Sequence, residues 1–200
     1  MPHIPEDNAY YPERTSLFEL SDSHPHGDVD VLFIGASLMQ RALWNEFLPG
    51  LNVLNRGIGS DSTQGVLKRL WKYKGYKARN IVLQIGLNDF AYHFTMDESM
   101  ENYRSILASL RDDFSGSTTL VISLLPNLDH AHEEGCLVFN ERLEKLCSSF
   151  GITYIDAWSR FKERMADNEA ARELFAPDRL HLTGKGYEIL IDCFVEHLKA

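Results

Sequence analysis

Cysteine is scarce in this chain of 200 residues: Cys136, Cys147 and Cys193 are the only three, with no C-x-x-C pair. An odd, scattered set argues against a disulfide framework and against a structural zinc site. Reduced thiols in or near a core are the expectation. Long apolar runs are missing too. No stretch approaches the roughly 18 consecutive apolar residues of a membrane span, and the opening MPHIPEDNAYYPERTSLFEL has neither a basic start nor an apolar leader segment. A cytoplasmic protein with no membrane association is therefore expected. Basic charge is in deficit: 20 Lys and Arg stand against 29 Asp and Glu, a net charge of −9. That disfavours a nucleic-acid partner, whose phosphates call for clustered cations. The densest basic patch, KRLWKYKGYKAR (68–79), reads as a solvated helix end and loop.

What is present is an ordinary globular composition, 44% apolar, in a length that suits one sizeable domain. No repeat, low-complexity tract or long linker interrupts it. Residues 1–28 are polar and hold four of the seven prolines; they are expected to wrap the surface as an arm, with residues 29–200 as the domain. Within that domain, short Val-, Ile- and Leu-rich runs alternate with helical patterns. DVLFIG (30–35), LNVLNRG (51–57), NIVLQIG (80–86), TTLVISLL (118–125) and ITYID (152–156) read as strands covered on both faces. Between them, Met100, Tyr103, Leu107, Leu110 and Phe114 recur at helical steps behind a Thr95-x-x-Glu98 capping box. Phe139, Leu143, Leu146, Cys147 and Phe150 share one face of a helix that stops at Gly151. Tyr187, Leu190, Ile191, Phe194, Val195 and Leu198 do the same in the closing helix. Five repeats of strand then helix predict an α/β three-layer sandwich: a five-stranded parallel sheet with helices on both faces.

Ligands in such sheets bind beyond the carboxyl ends of the strands. Gly35-Ala36-Ser37 follows the first strand, NRGIGSDST the second and IGLNDF the third, while APDRLHLTGKGY precedes the last helix. Each has a structural explanation when taken singly: Ser37 as a helix cap, Gly57 and Gly59 as turn residues, Asn88-Asp89 as an Asx turn, and His181 as a surface histidine held by Asp178. Together they form a chemical set. A nucleophilic serine needs a base, for which imidazole is suited, and the imidazole needs a carboxylate on its other nitrogen. Asp178 and His181 can supply both from one turn. The Ser37 N–H, the Gly57 N–H and the Asn88 amide can supply three donors to an oxyanion.

At these residues the chain resembles the SGNH (GDSL-type) hydrolases. FIGAS matches that family's nucleophile block, NRGIGSDSTQ its glycine block, IGLND its G-x-N-D block and DRLHL its D-x-x-H block. The blocks fall in the family's order over about residues 30–198, and GIGSDSTQGVLKRL and LHLTGKGY resemble the branch of the platelet-activating-factor acetylhydrolase catalytic subunits. The resemblance implies Ser37 as nucleophile, His181 as base and then acid, and Asp178 as its orienting carboxylate. The oxyanion hole would be formed by Ser37, Gly57 and Asn88. It further implies a flavodoxin-like strand order 2-1-3-4-5, no metal or organic cofactor, and a small-molecule ester substrate with a short acyl group, acetyl above all, on a carbohydrate or other small alcohol. Relatives of that branch pair as dimers, so a homodimer is one expectation, although no apolar stripe here demands a partner.

The chain departs from the family at Ala36, where an Asp is usual. That keeps open a non-catalytic ligand-binding domain on the same fold. An acyl thioesterase or lysophospholipase-type hydrolase is a further alternative, since the same triad attacks either ester. A metal-assisted hydrolase would draw on Asp129-His130-Ala131-His132-Glu133 or His24-Pro25-His26, but solvated loop histidines explain both better. Phe90, Tyr92 and His93, in the loop after the third strand, are expected to border the substrate pocket.

Overall fold

A computed structural model of the chain describes residues 10–165 and 167–199, apart from the side chain of Asn168. Its strands are β1 (Val29–Gly35), β2 (Val53–Gly57), β3 (Ala78–Gln84), β4 (Thr118–Ile122) and β5 (Thr153–Ile155). They form one parallel sheet in the order β2-β1-β3-β4-β5, as the resemblance implied. The chain divides into two compact units, one running to Thr119 and taking in Lys199, the other comprising Leu120–Leu198.

In the first unit β1 is flanked by β2 and β3, and Val31 through Ile34 are completely buried. That two-sided burial is why this strand reads as a continuous apolar run without alternation. The register pairs Gly35 with Gly57 on one side and with Gln84 on the other, so the three strands end level. The segments that leave them are α2 (Ser37–Arg41), the loop before α4 (Thr63–Arg69), and α5 (Leu87–Ala91). Helix α3 (Trp44–Phe47) follows α2 and stacks Trp44 on Phe33, ring centroids 4.0 Å apart. Helix α6 (Met96–Asp113) opens with the expected Thr95–Glu98 capping box and buries Met100, Tyr103, Leu107 and Leu110.

The stretch before β1, expected to wrap the surface as an arm, contains a helix, α1 (Tyr10–Asp22); residues 1–9 lie outside the described residues. Only Phe18 of its thirteen residues is buried, so no helical period shows, and Pro12 falls in the first turn, where proline is tolerated. The helix is held by polar contacts. Arg14 Nε donates to Gly57 O at 3.2 Å, Asp22 pairs with Arg56 at 2.6 Å, and the guanidiniums of Arg14 and Arg56 both lie over the Phe18 ring. The basic patch at 68–79 is only partly solvated: Arg69 and Tyr73 are fully buried, while Trp71 is exposed.

In the second unit β4 pairs with β5 from Leu120↔Thr153 to Ile122↔Ile155. Helix α7 (Glu133–Phe150) buries Phe139, Leu143, Leu146 and Cys147 and ends at Gly151, whose φ of 66° is the left-handed turn a terminal glycine permits. It begins at Glu133, six residues before Phe139, the first residue of its apolar pattern. Helices α8 (Ala157–Arg164), α9 (Asn168–Leu174) and α10 (Gly184–Phe194) complete the unit. Val195 stays exposed because the chain tightens into a 3-10 turn after Phe194.

Candidate active site

Ser37 is the first residue of α2, and the cap position belongs to Ala36, which makes no side-chain capping bond. Ser37 is therefore not placed there as a cap. Gly35, just before it, sits where β1, β3 and α2 converge: a Cβ would lie 2.2 Å from Gln84 O and 2.7 Å from Met39 Cγ. Beneath this turn lies Arg69. Its Nη2 donates to Gly35 O (3.1 Å), its Nη1 to Arg56 O (2.7 Å) and its Nε to Asp61 Oδ2 (2.9 Å). One buried guanidinium thus fixes the ends of β1 and β2 and the loop beyond them.

That loop, residues 57–61, does not use Gly57 as expected. The Gly57 N–H donates to Asn55 Oδ1 at 2.9 Å and is not directed outward. Glycine is required here for close approach instead, since a Cβ would fall 2.4 Å from Gln40 N in α2. The neighbouring donors are also committed: Ile58 N–H to Gly35 O, Gly59 N–H to Gln40 Oε1 and Asp61 N–H to Ile58 O. The Ser60 N–H alone in this loop has no partner among the described residues, and Ser60 adopts the left-handed region at φ 57°. Its carbonyl is held by the Tyr92 hydroxyl at 2.6 Å.

Asn88 lies in the first turn of α5, where its Nδ2 donates to Asp61 O at 2.8 Å. An amide NH2 carries two hydrogens, so one remains for a second acceptor. Asp89 beside it is buried and accepts from Thr63 N (2.9 Å), Thr63 Oγ1 and Ser99 Oγ (2.7 Å), tying α5 to α4 and α6. Burial pushes its carboxyl pKa up against those bonds. Of the expected pocket residues, Phe90 and Tyr92 are half-buried, with the Tyr92 hydroxyl spent on Ser60, and His93 is exposed at φ 58°. A hollow of about 420 Å³ lies at the opposite edge, where β1 and β3 begin, bordered by Val29, Tyr76, Ala78 and Phe114. None of the expected site residues borders it.

The second unit holds Asp178 and His181 in one turn. His181 Nδ1 and Asp178 Oδ2 are 2.8 Å apart, while Asp178 Oδ1 accepts the N–H groups of His181 (2.9 Å) and Leu180 (3.2 Å). The turn is closed by Arg179 N–H on Ala176 O and Ala176 N–H on His181 O. The His181 N–H above all, helped by its imidazole and the Leu180 N–H, holds the Asp178 carboxyl well below the usual range against the opposing effect of desolvation. A carboxylate on Nδ1 selects the tautomer with its lone pair on Nε2. The His181 side chain is 13% exposed.

The histidines of the metal alternative are engaged elsewhere. His130 Nδ1 meets Glu133 Oε2 at 2.7 Å, Asp129 pairs with Arg179, and His26 meets Asp22 at 3.2 Å. Among the described residues no three His, Cys, Asp or Glu side chains gather to hold a metal ion, and no helix is long and apolar enough to cross a membrane. Sequence reasoning missed Ser60, Arg69 and Arg179. A buried arginine leaves no mark in a hydropathy pattern, and a free N–H leaves none at all.

Residues 26–189 match the sequence pattern of the GDSL-like Lipase/Acylhydrolase family. Platelet-activating factor acetylhydrolase IB subunit alpha2 of Rattus norvegicus is 32% identical over 184 residues, covering 86% of this chain and 75% of that protein. Subunit alpha1 of Bos taurus is 31% identical over 107 residues, 50% of this chain and 45% of that protein, so the match spans less than half of that relative's length. Among solved structures, a Streptococcus pneumonia protein provisionally described as a platelet activating factor superposes with a TM-score of 0.82 at 21% identity, covering 95% of this chain and 93% of its own. The acetylxylan esterase Axe2 of Geobacillus stearothermophilus superposes at 0.71 and 18% identity, covering 85% and 94%. At such identities the two structures speak for the fold alone.

Proposed function

Because the chain belongs to the GDSL-like lipase/acylhydrolase family, we propose that it is a serine ester hydrolase working through an acyl-enzyme, with Ser37 as nucleophile and His181 as base. The observation that carries this reading is the His181–Asp178 bond of 2.8 Å, which orients an imidazole with Nε2 as its basic nitrogen. In the first step Ser37 Oγ attacks the ester carbonyl as its proton passes to His181 Nε2, and the carbonyl oxygen becomes an oxyanion. Collapse breaks the ester C–O bond, and His181 returns the proton to the departing alcohol. Water then attacks the acyl-enzyme with His181 again as base, releasing the acid and restoring Ser37. The oxyanion donors in this scheme are the Ser37 N–H at the head of α2, the second Asn88 amide hydrogen, and the Ser60 N–H in place of Gly57.

The acyl group is proposed to be short, with acetyl first. Support comes from the names of the relatives and neighbours, which are acetylhydrolases and an acetylxylan esterase. The test is hydrolysis of p-nitrophenyl esters from acetyl to octanoyl by the wild type, Ser37→Ala and Asn88→Ala. The expected result is a rate that falls with chain length, vanishes in Ser37→Ala, and drops in kcat by about 10²–10³ in Asn88→Ala. Activity untouched by Ser37→Ala, or absent on every ester, would overturn the scheme and return weight to the ligand-binding alternative that Ala36 keeps open.

A further inference from the structure

The turn that holds Asp178 and His181 contains a residue in an uncommon backbone state. Arg179 has φ 62°. That region is sterically unfavourable for a residue with a Cβ, and such residues persist where their surroundings over-determine them, often at functional sites. The surroundings of Arg179 are specific. Its carbonyl accepts the Leu128 N–H at 2.9 Å, its Nη2 donates to Leu128 O at 2.7 Å, and its Nε is bound by Asp129 Oδ1. The loop on the other side is itself stiffened by the buried Asn127, whose Oδ1 accepts the N–H groups of Asp129 and Ala131, both at 3.1 Å. Arg179 and Asp129 are about half exposed, so their charge pairing alone contributes little. The two backbone-directed bonds made by the same residue are what distinguish it from an ordinary surface pair.

The consequence falls on the neighbours. With Arg179 left-handed, the N–H groups of Leu180 and His181 both turn back onto Asp178 Oδ1, and the imidazole reaches Oδ2. We infer that Arg179 and Asp129 are positioning residues: they clamp the loop after β4 onto this turn and so fix the Asp178–His181 hydrogen bond. The inference rests on the reading of that pair as the acid–base element of the site.

The test compares the wild type with Arg179→Gly, Asp129→Ala and the double variant. Glycine at 179 keeps the left-handed backbone without strain and removes the side-chain bonds of the clamp, leaving only the Leu128 N–H on the carbonyl of residue 179. Two readouts are taken: kcat and KM on p-nitrophenyl acetate, and the downfield proton resonance of the His181 Nδ1–H, assigned by its loss in His181→Gln. Each single variant is expected to lower kcat about tenfold with KM within about twofold. The double variant is expected to be no worse than Arg179→Gly, and the Nδ1 proton to broaden in all three. A resonance unchanged in the variants overturns the inference, whatever happens to kcat. Should the wild type hydrolyse no ester, the resonance alone decides: broadening supports the clamp and persistence overturns it, so failure of the esterase reading stays distinguishable.

Discussion

Within four positions of one loop, Gly57 and Ser60 owe their roles to opposite causes. Gly57 has no side chain because α2 passes directly over it, while Ser60 carries one in a conformation that glycine would adopt more easily. Ser60→Gly is therefore expected to stabilise the protein by up to about 1 kcal/mol and to leave activity within about twofold, since the proposed donor is the backbone N–H. Gly57→Ala is expected to displace α2 and to destabilise by several times that amount, as overpacking against backbone does. Urea denaturation read beside ester hydrolysis checks both, and a destabilised Ser60→Gly would contradict the strain argument. Ser37, Asp178 and His181 stand out in the sequence because their signals are local: a serine after a buried strand, and a carboxylate three residues before an imidazole. The choice of Gly57 as donor was the natural reading of a glycine and was mistaken about its N–H. Sequence shows where a chain can bend, but the destination of an N–H depends on how side chains turn: Asn55, two residues back in β2, takes the Gly57 N–H, and Gln40 reaches the Gly59 N–H from α2.

The ends of β1 and β2 and the start of α4 are joined by a single side chain. Arg69 and Asp61 are each 1% exposed, and the guanidinium also bonds Gly35 O and Arg56 O. Arg69→Ala would strand the Asp61 carboxylate and two carbonyls in a dry interior, at an expected cost of about 3–5 kcal/mol. Arg69→Met combined with Asp61→Leu, which removes both charges, is expected to recover part of it. The check is the urea midpoint of each variant, and a single variant within about 1 kcal/mol of the wild type would show the pair to be dispensable. Elements defined by periodicity were readable in advance, namely α6 with its capping box and α7 with its terminal glycine. Those that stand on polar contacts were not. Helix α1 rests on Arg14, Asp22 and one phenylalanine, and the first turn of α7 begins at His132 with no side-chain cap to announce it.

The interior as a whole can be followed through its thiols. Cys136 and Cys147 are buried and free, and burial pushes both up to about 12; Cys193, half-buried, is raised to about 11. At pH 8 almost none of the two buried thiols is thiolate, so labelling by a disulfide reagent is expected only through opening of the structure. The urea dependence of that labelling should coincide with the loss of helical circular dichroism; both thiols reacting in native buffer at the rate of a free cysteine would refute their burial. The amino-acid order was enough to establish a parallel α/β sheet, the strand ends at which chemistry belongs, and the Asp178–His181 turn, because apolar period and short-range sterics act between residues a few positions apart. Which N–H of the glycine loop stays available, why Arg69 is buried and what clamps Arg179 were settled only by folding. Those bonds join residues 19, 34 and 50 positions apart, from Gln40 to Gly59, Gly35 to Arg69 and Asp129 to Arg179, and no local pattern encodes a partner at that distance.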